Sequence, residues 1–159
     1  PLDIDAETMP SLELHQIFNE QISQPDDAGG AYVLQKEGEI IAYALPIEGQ
    51  GFWAPIKGVI GISADKKTLT GIAFYEQNET PGLGAEIAKP EFSDQFKQEN
   101  NKVLADTAVP LKIARPGATL EENQVYAVTG ATQTCTRLEK LINDDIIKWR
   151  DTMESGGKQ

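Results

Sequence analysis

Apolar residues at Leu138, Leu141, Ile142, Ile146 and Trp149, with charged residues between them, form a helical stripe. They predict a long helix from Gln133 to about Met153, followed by a disordered tail over 154–159. A weaker stripe at Leu12, Leu14, Ile17, Phe18 and Ile22 predicts a short amphipathic helix starting near Ser11. Between them the pattern changes to β-branched and aromatic residues. Strands are expected at Ala31–Glu37 and Glu39–Ile47, joined at Gly38, and at Lys57–Ala64 and Thr70–Tyr75, joined across Asp65-Lys66-Lys67. A short helix is expected over Pro90–Gln98, and a late strand over Val109–Ala114. Strands in runs with helices at the ends point to an α+β fold, mostly antiparallel, with flanking helices. No internal repeat or linker divides the 159 residues, so a single domain spanning 1–159 is expected.

Composition narrows the function. With 40% hydrophobic and 25% charged residues the chain is of ordinary globular type and reads as soluble. A net charge of -11 argues against nucleic acid and against attraction to anionic lipid. His15 is the one histidine and Cys135 the one cysteine, so the chain alone cannot build a zinc site and no metal ligand set is assigned; a Ser-His-Asp or Cys-His machine would have to use His15, which lies far in sequence from any motif. Cys135, at the first apolar position of the long helix, reads as a small buried filler, with a redox thiol as the other reading. His15 reads as a solvent-facing residue of the N-terminal helix. No complete dinucleotide fingerprint is present. The chain opens at Pro1 without an initiator Met, which suggests a piece of a longer or processed protein.

The chemistry is concentrated in Val128-Thr129-Gly130-Ala131-Thr132-Gln133-Thr134, where a strand hands over to the long helix. Free backbone N–H groups and the positive end of the helix dipole converge at such a junction and favour an anion. Gly130 and Ala131 allow a phosphate to approach the backbone, and Thr132 places an oxygen beside it. The commoner use of such a threonine is as a plain N-cap. The same Gly-Ala-Thr tripeptide recurs at Gly117-Ala118-Thr119, where Glu122 three residues on completes a capping-box pattern. That second copy is assigned to structure.

Glu79-Thr80-Pro81-Gly82-Leu83-Gly84 is a Gly-rich turn. Pro fixes one φ, Gly82 supplies the positive one, and Gly84 removes a side chain so that a flat ring can approach the backbone. Leu83 and Trp53 offer apolar contact. Trp53 belongs to a third segment, Gly49-Gln50-Gly51-Phe52-Trp53-Ala54-Pro55. Taken alone, the turn reads as a surface loop and Trp53 as core or rim packing.

Together, Thr129-Gly130-Ala131-Thr132 and Glu79-Thr80-Pro81-Gly82-Leu83-Gly84 resemble the two hallmarks of the FMN-binding domain family, from about Ala31 to Ile147. Members of that family are subunits of the sodium-translocating NADH:quinone reductase and of the Rnf electron-transport complex. The segment around Phe52-Trp53 is similar to the quinone-reductase branch. The resemblance implies FMN joined through a phosphoester to Thr132, with Thr129, Gly130 and Ala131 shaping the phosphate seat. It implies that Glu79, Thr80, Gly82, Leu83, Gly84 and Trp53 lie against the isoalloxazine. A flavin transferase would make the attachment. The full-length protein would be membrane-anchored ahead of the segment 1–24, with this domain on the extracytoplasmic, periplasmic side, passing electrons between other subunits of a membrane complex. Substrate turnover would belong to that complex, and this piece would not itself bind the membrane. Tyr126 departs from the pattern, because the family usually has Asp three residues before Thr129. That departure motivates two other readings: a module that holds FMN or another phospho-ligand reversibly, and an interaction ectodomain that has lost its flavin.

Overall fold

A computed structural model describes residues 22–156. The N-terminal helix expected near Ser11, and His15 with it, lie outside the described residues. The main sheet has five antiparallel strands in sequential order: β1 (Ile22–Ser23), β2 (Tyr32–Lys36), β3 (Glu39–Gln50), β4 (Pro55–Ser63) and β5 (Leu69–Glu76). Each of the four expected strands of this sheet is present, and the fold is α+β as expected. β3 runs three residues beyond Ile47 because Glu48, Gly49 and Gln50 continue to pair with Lys57, Ile56 and Pro55.

One face of the sheet is apolar. Tyr43, Leu45 and Ile47 alternate along β3, and Ile56, Ile60 and Ile62 along β4, so their side chains share one side of the pleat. The register sets Tyr43 opposite Ile62 and Leu45 opposite Ile60. Helix α2 (Thr132–Gly156) lies on that face. Its buried positions include all five of the expected stripe, Leu138, Leu141, Ile142, Ile146 and Trp149. Trp149 meets Tyr43 edge-on with ring centroids 5.2 Å apart, and its indole N–H donates to Ala28 O at 3.0 Å. α2 ends later than expected: Ser155 is still helical, its hydroxyl donating to Asp151 O at 2.7 Å, so residues 154–156 are helix rather than tail.

Between β5 and α2 the chain is less regular. The helix expected over 90–98 is one α-turn, α1 (Pro90–Ser93), followed by short 3-10 turns at Asp94–Phe96 and Gln98–Asn100. Phe92 and Phe96 still pack together, with centroids 5.5 Å apart, in the core. The late strand shortens to β6 (Lys112–Ala114) and pairs in parallel with β7 (Gln124–Tyr126), which the residue pattern did not announce. No helix follows Thr119: residues 119–121 are irregular and 122–123 turn into β7, which overturns the capping-box assignment.

This small parallel pair is fastened by side chains of α2. Buried Asn143 accepts from Leu111 N and donates to Leu111 O, both at 2.8 Å, and Glu139 accepts from Ile113 N at 2.6 Å. They replace the ladder partners that a strand edge otherwise lacks. Among the described residues no helix is long and apolar enough to cross a membrane. Replacing Asn143 with Ala strands the buried N–H and C=O of Leu111, and should destabilise the fold by about 2–3 kcal/mol in urea unfolding.

Candidate functional site

β7 and α2 are joined by residues 127–131, so the motif sits at a strand-to-helix junction as its composition implied. Gln95 holds the end of β7 from the neighbouring 3-10 turn, accepting from Tyr126 N at 2.7 Å and donating to Tyr126 O at 3.1 Å. Ala127 N donates to Ala114 O, and a turn closes from Ala131 N to Val128 O at 3.2 Å. The first intrahelical bond runs from Cys135 N to Ala131 O at 3.0 Å. Ala131 therefore occupies the cap position, and Thr132 is the first residue of the helix. Neither threonine is the N-cap. The N–H groups of Thr132, Gln133 and Thr134 have no acceptor within the helix, and the residue before them has no side-chain oxygen to supply one.

Thr132 is exposed. It stands on the rim of a cleft of about 260 Å³ lined by Phe52, Trp53, Thr80, Leu83, Gly84 and residues 130–134. The three Gly-rich segments, far apart in sequence, converge here. Trp53 is 65% exposed, and its indole N–H donates to Thr80 Oγ1 at 3.1 Å. Leu83 is exposed on the opposite loop, so close to Gly130 that a β-carbon there would stand 3.2 Å from Leu83 Cδ2. Pro81-Gly82 makes the expected turn, with Gly82 at φ 74° and Leu83 N donating to Thr80 O at 3.1 Å. Thr129 does not line this cleft. It borders a larger groove of about 970 Å³, also lined by Thr132, whose walls include Lys112, Arg115 and Thr119.

Two residues of the Glu79–Gly84 turn build the wall behind the cleft. Glu79 does not line the cleft; it lies behind it, 5% exposed. Its Oε1 accepts from Trp53 N at 3.0 Å, and its Oε2 accepts from Phe52 N at 3.2 Å and Thr134 Oγ1 at 2.6 Å. Gly84, which lines the cleft, also makes room for this carboxylate. A β-carbon at Gly84 would meet Thr134 Oγ1, and would lie 2.9 Å from Glu79 Cβ. Gly51, which the residue pattern did not single out as a site position, is constrained in the same way, since its β-carbon would fall 2.7 Å from Glu79 Oε1. Also missed were Thr134 as a buried donor and Arg137, whose guanidinium lies 5.8 Å from the centroid of the Phe52 ring.

Cys135 and Tyr126 flank the motif without taking part in the cleft. Burial pushes the Cys135 thiol up, the nearby Glu139 charge adds to this, and a backbone hydrogen bond with Val128 opposes it. The thiol stays protonated, in keeping with its reading as a buried filler. Tyr126 is half-exposed and spends its hydroxyl on Ala118 O at 2.9 Å.

For Glu79, desolvation alone would raise the pKa, but hydrogen bonds from Thr134, Trp53, Ala54 and Phe52 together hold it below the ordinary 4.5. A carboxylate with a depressed folded pKa stabilises the fold fully above its unfolded pKa and loses that contribution as pH falls through the folded one. The melting-temperature gap between the wild type and Glu79→Gln should therefore be widest at neutral pH. It should shrink as pH falls below about 4.5, as followed by circular dichroism.

Comparisons with known proteins identify the family of this chain. A family model described as FMN-binding domain matches residues 51–146, more than half of the chain. The chain is 43% identical over 152 residues to the C subunit of the Na(+)-translocating NADH-quinone reductase of Chlamydia pneumoniae, covering 86% of this chain and 48% of that protein. The counterpart from Pasteurella multocida is 31% identical, covering 71% of this chain and 47% of its own length. The chain thus spans about half the length of the curated relatives it matches. The fold is similar to the crystal structure of the same reductase component from Parabacteroides distasonis, with TM-score 0.73 at 24% identity over 91% of this chain and 84% of that one. It is also similar to NqrC of Shewanella oneidensis, with TM-score 0.70 at 22% identity over 99% and 79%. On the family match and these relatives, the chain belongs to the FMN-binding domain family, and its cofactor is FMN.

Proposed function

We propose that this chain is the FMN-carrying portion of an electron-transfer subunit, and that Thr132 carries the flavin through a phosphoester. The observation that supports this most directly is the first turn of α2. There an exposed threonine follows Ala131 at the cap position, beside three N–H groups without an intrahelical acceptor. A phosphate on Thr132 Oγ1 would lie at the positive end of a long helix, with Gly130 and Ala131 too small to obstruct it. The phosphoester forms with net loss of one water between hydroxyl and phosphate, and Thr132 is an attachment point that does not turn over.

The residues present fit the group. Trp53 and Leu83 flank the cleft and can cover a flat ring system, while Thr80 holds the indole in place. Thr129 borders the adjoining groove and shapes the far side of the phosphate seat. FMN supplies the redox chemistry when bound, and the protein contributes attachment, orientation and partial exclusion of water. The relatives are subunits of a sodium-translocating NADH-quinone reductase. By that kinship the chain would serve such a membrane complex, on its extracytoplasmic side, anchored through a part of the protein outside this sequence. Its partners would be the other subunits and a flavin transferase.

Tyr126, in place of the family's usual Asp, supports a second reading in which the same cleft holds FMN reversibly. Intact mass of the denatured domain, co-expressed with a flavin transferase, separates the two. Covalent attachment predicts a gain of one FMN less one water that disappears in Thr132→Ala. An unmodified mass, under conditions where a known family member is modified, would sink the phosphoester. The reversible reading then predicts that denaturation releases FMN from a sample purified with it. With Thr132 intact, Tyr126→Asp should raise the modified fraction if the tyrosine impairs transferase recognition.

A further inference from the structure

Both carboxylate oxygens of Glu79 are engaged by donors of the protein itself. The buried group takes Trp53 N on one oxygen, and takes Phe52 N and the Thr134 hydroxyl on the other. We propose that Glu79 is a positioning residue that latches the aromatic loop 51–54 to the first turn of α2, and so fixes the Trp53 indole relative to the Thr132 hydroxyl. This rests on the flavin reading of the cleft, because it identifies what sets the seat of the ring.

The path is short and rigid. The loop closes the β3–β4 hairpin through Gly51 N donating to Ala54 O at 2.8 Å, leaving the N–H groups of Phe52 and Trp53 without ladder partners. Glu79 supplies the acceptors. Its other tie goes to Thr134, two residues beyond Thr132 and within the same helical turn. Helix α2 is in turn fixed by its buried stripe, so a residue bound to its first turn is bound to the core.

Trp53 is then held twice by consecutive residues: Glu79 takes its backbone N–H and Thr80 takes its indole N–H. The first sets where the residue sits and the second sets the rotation of the ring. Gly51 and Gly84 belong to the same device, because a β-carbon at either position would intrude on the Glu79–Thr134 contact or on the carboxylate. Between the aromatic loop and α2, the Glu79–Thr134 bridge is reinforced by the contact of Arg137 with the Phe52 ring.

Thr134→Val keeps the branched shape and removes only the donor, while Thr134→Ser restores it. In the flavin-free domain, amide hydrogen exchange at Phe52 and Trp53 reads the latch directly. Loss of a charge-assisted hydrogen bond should speed exchange there by about tenfold or more in Thr134→Val and in Glu79→Gln. Thr134→Ser should match the wild type, and the amides of Ile60 and Ile142 in the core should be unchanged in Thr134→Val. In the FMN-loaded domain, the visible circular dichroism induced in the flavin should fall in Thr134→Val and recover in Thr134→Ser. Unchanged exchange at Phe52 and Trp53 in Thr134→Val would overturn the latch, as would an equal acceleration across the core. A latch seen by exchange, beside a loaded wild type with no induced flavin signal, would instead overturn the flavin reading and with it the seat assigned to the ring.

Discussion

A carboxylate buried among protein atoms must have its lone pairs satisfied, and at Glu79 that demand organises the whole site. The acceptors are shared between a hairpin loop and the first turn of a helix. Satisfying them forces the loop backbone inward and turns Phe52 and Trp53 outward, so two large aromatic side chains remain exposed at the rim of the cleft. It also requires that Gly51 and Gly84 have no side chain. The ionised form is the one that fits, since the hydrogen bonds it accepts together outweigh the cost of burial and hold its pKa below the ordinary value.

Helix α2 is the frame to which this arrangement is attached. One face is sealed against the apolar side of the sheet, chiefly at β3, by Leu138, Leu141, Ile142, Ile146 and Trp149, which ties the helix to the core. Its first turn presents Thr132 and Thr134 to the cleft. Further along, Glu139 and Asn143 receive the edge of β6 and hold the strand pair that delivers the motif. The same helix thus supplies the core, the exposed Thr132 of its first turn and the scaffold of the segment leading into it. Precise placement of a ligand favours such elements over free loops.

The family match makes the chain an FMN-binding domain, and the chain spans about half the length of its curated relatives. What this portion contributes by itself is geometric: a helix start with unpartnered N–H groups, an apolar-rimmed cleft beside it and a larger groove adjoining both. The groove carries Lys112 and Arg115 in a chain of net charge -11, so the immediate surroundings of the motif are less acidic than the molecule as a whole. Attraction of an anionic group to this end needs no wider field.

Much of this was legible in the residues alone, for a definite reason. Alternation of apolar positions marks a half-buried strand and a stripe at helical spacing marks α2, because each pattern reports a local periodicity. Gly, Pro and Thr at fixed offsets likewise report backbone conformation, so the Pro81-Gly82 turn and the junction at Thr129–Thr132 could be read directly. The capping box at Thr119 failed because Thr and Glu three residues apart permit a helix start but do not compel one. Here residues 115–123 are instead drawn into the connection of a parallel strand pair. β7 itself is three residues long and too short to carry a period. The destination of Glu79, the reason for Gly51 and Gly84, and the burial of Asn143 were decided by tertiary structure alone. Each depends on a hydrogen-bond partner dozens of residues away, and no local pattern records where a distant donor will be brought.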